Sequence, residues 1–152
     1  PRSASQPVNK ELRVYDAHTD TLLKAIPMGN EPLELAFAPS RNLLFVTCSE
    51  DNANPTPNTR GSVYVINYNT LAVETILFGD FFQPHGIAID EQNGLLFVAS
   101  RNVDPTGPAP HHSTSCSGRP GWYTVYDLNT LQPDKKRYDV PSDPYFLATR
   151  FK

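Results

Sequence analysis

The stretch Ser62-Val63-Tyr64-Val65-Ile66-Asn67-Tyr68-Asn69-Thr70-Leu71 contains a pattern that recurs three times along the chain. In each copy an apolar strand ends in Asp or Asn, a polar turn follows, and a Thr-Leu pair leads into another strand. The three copies are 14–16 with Thr21-Leu22, 65–67 with Thr70-Leu71, and 125–127 with Thr130-Leu131, and proline turns follow them at Pro32, Pro84 and Pro144. A repeat of this length that is built from strands predicts stacked or radially arranged sheets.

The composition indicates a globular, loop-rich protein. The 152 residues include 15 Pro and 8 Gly, and aromatic residues make up 11% of the chain, which is too many for a disordered segment. The net charge of −3 gives no reason to expect nucleic acid or an anionic membrane surface as a partner. The longest apolar runs have about five residues, so we expect no transmembrane segment.

Short alternating runs between Pro, Gly, Asn and Asp predict four strands in each repeat. The Asn93-Gly94 pair is typical of a tight hairpin turn, because both residues tolerate positive φ. The predicted first strands are 33–38, 85–90 and 145–151, the second strands are 43–48 and 95–100, the third strands end in the repeated pattern, and the fourth strands are 22–27, 72–78 and 135–140. Four antiparallel strands per unit predict an all-β fold of β-propeller blades. The alternative is a β-sandwich, which has no reason to repeat its turn sequence three times.

The strands and turns resemble the YVTN-type β-propeller repeat, found in bacterial and archaeal envelope proteins. The similarity is carried by the runs 63–71, 79–90 and 94–100, and it extends over residues 11–151. The Tyr-Val-Thr-Asn signature corresponds here to 45–48 and 97–100, where both copies have Phe for Tyr and the asparagine is replaced by Cys48 and Ser100. The resemblance implies a fold more than an activity, because the family includes enzymes, surface proteins and scaffolds.

Counting strands predicts two complete blades, at 33–78 and 85–140. Only third and fourth strands precede them, at 11–27, and only a first strand follows them. We therefore expect residues 11–152 to be the C-terminal part of a propeller of about six to eight blades, with residues 1–10 the tail of a preceding loop. The partner of these residues would then be the missing N-terminal part of the same propeller, because open strand edges are prone to aggregate.

The long loops 50–62 and 101–121 fall on one rim of the predicted blades. Binding residues concentrate on long loops held by a rigid scaffold, so this rim is the predicted functional face. The alternative is that these proline-rich loops only shield the rim or pack on a neighbour.

His111, His112 and Cys116 form the densest set of metal-ligating residues, and His85 is predicted on the same face. Imidazole and thiolate groups bind zinc or copper, and calcium is the third candidate at such a channel mouth. The alternative is that the loop histidines are simply solvated. We expect no bound cofactor under the leading hypothesis given below.

Two further candidates have structural alternatives. His85 follows Pro84 at the start of an inner strand, where it serves either packing and hydrogen bonding or, with Glu34 nearby, a catalytic channel mouth. No acid–base pair is recognisable, so we assign no catalytic residue. Cys48 and Cys116 are predicted on the same rim and could form a disulfide that anchors the long loop.

The leading hypothesis is a non-catalytic propeller that acts as a binding or scaffold module of the bacterial cell envelope. Its expected partner is another envelope protein or a glycan. The resemblance implies an exported protein, periplasmic or at the cell surface, and a lipid-anchored outer-membrane protein fits as well. The alternative hypothesis is a metal- or quinone-dependent oxidoreductase, or a lactonase-like enzyme, with its site at the channel mouth.

Overall fold

The computed structural model describes residues 10–101, 120–142 and 144–150, and in these residues the chain is all-β. One short 3-10 turn, Pro39–Arg41, interrupts the strands. The ten strands are β1 (Glu11–Tyr15), β2 (Leu22–Pro27), β3 (Pro32–Ala38), β4 (Leu43–Cys48), β5 (Ser62–Asn67), β6 (Ala72–Leu77), β7 (Pro84–Asp90), β8 (Leu95–Ser100), β9 (Pro120–Asp127) and β10 (Pro133–Ser142). The prediction of an all-β fold is confirmed.

The strands form three antiparallel sheets, each built in chain order. The hairpin of β1 and β2 stands alone, sheet one has the order β3-β4-β5-β6, and sheet two has the order β7-β8-β9-β10. Sheets one and two thus have four strands each, as the two complete repeats predicted. Within each sheet, every strand pairs antiparallel with its neighbour in sequence.

The repeated pattern encodes the turn between the last two strands of each sheet. The side-chain oxygen of Asn67 accepts hydrogen bonds from the amides of Asn69 and Thr70, at 3.0 and 3.2 Å. Asp127 makes the same bonds to residues 129 and 130, and Asp16 makes them to residues 18 and 19. In the first copy, the residue at the position of Thr70 is therefore Thr19. The sequence match had instead aligned Thr70 with Thr21, which lies two residues further along the chain.

The sheets stack face to face through two apolar layers. Alternate residues of sheet one, such as Phe45, Val63 and Val65, pack against Leu96 and Val98 of sheet two. The intervening residues of sheet one point the other way and pack against the β1–β2 hairpin; this second layer contains Ile26, Met28, Leu44, Val46, Cys48 and Ile66. The central strands β4 and β5 are therefore covered on both faces, which explains why they are apolar at most positions.

The predicted strand at 145–151 is not a strand in the described residues 144–150. This segment crosses the face of sheet two opposite to sheet one, with Leu147 against Gly86. The Thr149 hydroxyl donates to the carbonyl oxygen of Ile89 at 2.7 Å. The segment packs on a sheet face rather than along an edge, so the ladder of backbone bonds that defines a strand is missing.

Candidate functional site

The β4–β5 loop, residues 49–61, joins the two connections that link successive sheets. The Glu50 amide donates to the Asn30 carbonyl oxygen at 3.2 Å, in the connection between β2 and β3. The Arg60 amide donates to Phe81, and the Gln83 amide donates to the Arg60 carbonyl oxygen, both at 3.0 Å. Both connections and this loop lie at the rim that the sequence predicted to carry function.

Glu50 holds the two ends of this loop together. One carboxylate oxygen accepts from the Arg60 guanidinium at 3.0 Å, and the other accepts from the side-chain amide of Gln83. The Arg60 guanidinium also lies over the Phe82 ring, 5.5 Å from its centroid. Because both members of this ion pair are half-buried, screening by water weakens it less than an exposed pair. Both oxygens of the Glu50 carboxylate thus have partners that stabilise the conformation of the loop.

Asp51 is buried at the inner turn of the loop. Its carboxylate accepts from the Ser62 hydroxyl at 2.6 Å and from the Ala53 amide at 3.1 Å. It also lies directly against Gly29, so a Cβ atom at position 29 would collide with the carboxylate. A buried carboxylate needs such charge-assisted bonds, and here they fix the direction in which the loop leaves sheet one.

Asn54 anchors the middle of the loop. Its side-chain amide donates to the carbonyl oxygens of Gly61 and Gly79, at 3.1 and 3.0 Å, and its side-chain oxygen accepts from the Thr56 amide. A further turn closes where both the amide and the hydroxyl of Thr59 donate to the Thr56 carbonyl oxygen. The exposed residues of this held loop are uncharged: Asn52, Ala53, Pro55, Thr56, Pro57 and Asn58.

His85 is buried on β7, next to this loop system. Its ring stacks on Tyr145 with 3.6 Å between centroids and 35° between planes. Its carbonyl oxygen accepts from the Thr47 hydroxyl at 3.1 Å, and Thr47 in turn accepts from the Glu34 amide at 3.1 Å. Both the ring and the backbone of His85 therefore link neighbouring inner segments, which is the packing role weighed from the sequence.

Arg101 follows β8 at the same rim and is also buried. Its amide donates to the Phe82 carbonyl oxygen at 3.0 Å, and its guanidinium lies 5.3 Å from the centroid of the Tyr145 ring. Tyr145 is thus stacked on His85 and contacted by Arg101. A cation and an imidazole therefore lie around one half-exposed aromatic ring at this rim.

The predicted metal ligands fall mainly outside the described residues. His111, His112 and Cys116 lie there, so their grouping with His85 stays a prediction. Within 10–101, 120–142 and 144–150, no three His, Cys, Asp or Glu side chains are placed to hold a metal ion.

Cys48 ends β4 and is buried. Burial raises the pKa of its thiol to about 12, and the nearby Asp51 carboxylate acts in the same direction. The thiolate that attacks disulfides or binds metals is therefore disfavoured at neutral pH. The bridge to Cys116 stays a prediction, since Cys116 is not among the described residues.

The sequence did not single out Glu50, Asp51, Arg60 or Gln83. Their partners lie 10 or more residues away in the cases of Arg60 with Glu50, Ser62 with Asp51 and Gln83 with Glu50, and no local spacing encodes those contacts. One signal was present: Glu50 and Arg60 carry opposite charges at the two ends of one predicted loop, an arrangement that favours closing it.

Comparison of the chain with protein-family models gives no match, and comparison with curated proteins gives none either. Among the described residues, no helix has the length and apolar character needed to cross a membrane.

Proposed function

We propose that the three sheets are consecutive blades of a β-propeller that works as a binding or scaffold module. The support for the propeller is the stacking: each sheet is a chain-order meander, and equivalent residues of successive sheets form the apolar layers. The short connection after β6 places β7, the first strand of sheet two, beside β3, the first strand of sheet one. Radial repetition of such sheets generates a propeller.

The observation that carries the binding function is the fixed conformation of the β4–β5 loop. Asp51, Asn54 and Glu50 use their polar groups on the loop and its anchors, while the exposed tip carries free amides, hydroxyls and prolines. A loop held in one conformation loses little conformational entropy on binding, so its surface binds a partner more tightly than a mobile loop would. Side chains committed to structure in this way also favour binding over catalysis.

The chemistry of the loop tip fits a polar, uncharged partner surface. Its six exposed residues carry no charge, so recognition would depend on hydrogen bonds and shape rather than on ionic attraction. A glycan or a polar face of another envelope protein has this character. The proposal places the protein in the periplasm or at the bacterial cell surface, in line with the resemblance of its repeats to envelope propellers.

Site-specific photo-crosslinking in cells that make the full-length protein tests this function. A photoreactive residue at Thr56, on the loop tip, is compared with one at Glu74, exposed on β6 far from the rim. We expect a defined adduct from position 56 and none from position 74. Equal adducts at both positions, or none at position 56, would contradict the proposed binding face.

Elemental analysis of the same full-length protein tests the alternative function. Stoichiometric copper, zinc or calcium that is lost on His85→Ala or His112→Ala would contradict the binding module and favour a metal-dependent enzyme. Under the proposal, neither substitution changes the metal content, and crosslinking from position 56 persists in both variants.

A further inference from the structure

Equivalent apolar residues of sheets one and two differ in exposure on one face. Leu35 and Phe37 on β3 are 48% and 56% exposed, whereas Ile87 and Ile89, at the same positions of β7, are 6% and 7% exposed. The isoleucines are buried because sheet one packs over them. Leu35 and Phe37 occupy the corresponding positions of β3, and nothing in the described residues covers them to the same extent.

The incomplete cover has a simple structural cause. Leu35 and Phe37 pair across strands with Val46 and Leu44, so all four side chains lie on one face of sheet one. The β1–β2 hairpin buries the β4 half of this face and leaves the β3 half exposed. The hairpin corresponds to the outer two strands of a four-stranded sheet, so the inner two strands are the part that would lie over β3.

The unpaired edge of β1 also indicates that the β1–β2 hairpin is part of a larger sheet. Among the described residues β1 pairs only with β2, whereas β5 and β9, its equivalents, each pair on both sides. An exposed strand edge beside exposed apolar side chains is a surface that proteins normally cover.

We infer that two further strands of the same polypeptide, upstream of residue 1, pair along the free edge of β1 and cover Leu35 and Phe37. The inference rests on the proposed propeller. Two strands are needed because β3 and β4 provide that cover in the next interface. The same polypeptide is the source because every strand of sheets one and two pairs with its neighbour in sequence. The inner strands of the β1 sheet would then come before β1 in the chain, as β3 and β4 come before β5.

Thiol labelling of the folded full-length protein tests the inference. Phe37→Cys is introduced into a Cys116→Ser background, where Cys48 gives little signal because its thiol is buried. Glu74→Cys is the exposed control and Ile89→Cys is the covered control. We expect Phe37→Cys to react at a rate near that of Ile89→Cys and at least about a hundred-fold slower than Glu74→Cys, because labelling would require opening of the cover. Leu35→Cys gives the same comparison if Phe37→Cys does not fold.

Each outcome decides the inference. Labelling of Phe37→Cys and Leu35→Cys as fast as Glu74→Cys overturns it, because the face is then open. Protection that disappears on dilution, together with a dimer in analytical ultracentrifugation, also overturns it by assigning the cover to a second copy. Protection in a monomer supports it. The result is separable from the binding function, since loss of crosslinking at position 56 leaves the labelling rates unchanged.

Discussion

Substitution of Asp51 gives the sharpest test of how the rim is built. The Asp51 carboxylate accepts from the Ser62 hydroxyl at 2.6 Å and from the Ala53 amide at 3.1 Å. Asp51→Ala removes both bonds. The Ala53 amide lies in the exposed part of the loop, so water can replace its acceptor. Ser62 is fully buried, and the only other acceptor that its hydroxyl is shown to reach is the Cys48 sulfur, which is a weak one.

The magnitude follows from this difference between the two donors. A hydrogen bond to a charged group contributes about 1.5–3 kcal/mol, and an unsatisfied buried hydroxyl costs a similar amount. We therefore expect Asp51→Ala to lower the free energy of unfolding by about 2–3 kcal/mol. Asp51→Asn preserves the shape and can still hydrogen-bond to Ser62, so we expect a loss of about 1 kcal/mol.

Urea unfolding of the full-length protein measures these losses, and a double-mutant cycle with Ser62→Ala assigns them. If the bond between the two side chains carries the effect, the double variant is at least as stable as Asp51→Ala alone, because Ser62→Ala removes the hydroxyl that Asp51→Ala leaves unsatisfied. A loss below about 0.5 kcal/mol for Asp51→Ala, or additive losses in the cycle, would refute the reasoning.

Three further predictions concern titration, reactivity and packing. The amides of Thr130 and Asn129 bond the Asp127 carboxylate and lower its pKa, so its stabilising effect is present above the unfolded pKa of about 3.9 and is lost as the pH falls through the lower folded value. Asp127→Asn, which copies the turn of Asn67, should therefore show a smaller fall in Tm between about pH 6 and pH 3, and an unchanged fall would contradict this. The thiol of Cys48 should resist alkylating reagents in the folded protein at neutral pH, as followed by intact mass, and rapid alkylation there would show that the strand end is open. His85→Leu should preserve the fold by circular dichroism and thermal unfolding because the aligned residue is Leu33, whereas unfolding of this variant would mean that the ring contact with Tyr145 is indispensable.

The strands could be predicted because their information is local. The alternation of side chains in 43–48 and 95–100 sets two faces, and Asn67 or Asp127 fixes the turn that follows. The prediction failed for 145–151, because an extended sequence becomes a strand only beside a partner edge. The sequence match of Thr21-Leu22 with Thr70-Leu71 was also wrong. In the structure, Thr19 and Asp20 occupy the positions of Thr70 and Leu71, and the φ of Asp20 is 53° where that of Leu71 is 55°.

The rim on which the β4–β5 loop lies was predicted from the sequence, but the residues that hold this loop were not. That the rim is the functional face stays a prediction. The bonds that hold this loop join Glu50 to Gln83, 33 residues away, and Asn54 to Gly79, 25 residues away. Pairings at such distances depend on how two sheets stack, so no local pattern encodes them.

By itself, the sequence determined the all-β fold, its four-stranded units and the position of the long β4–β5 loop between the second and third strands of its unit. The alternation of apolar residues and the hydrogen bonds of the turns depend on only a few neighbouring residues, so both can be predicted from the sequence. Only the tertiary structure decided that Glu50, Asp51 and Asn54 build one fixed loop, that His85 stacks on Tyr145, and that Leu35 and Phe37 remain exposed where Ile87 and Ile89 are buried. These features depend on which sheet lies against which, and stacking brings together residues that are far apart along the chain.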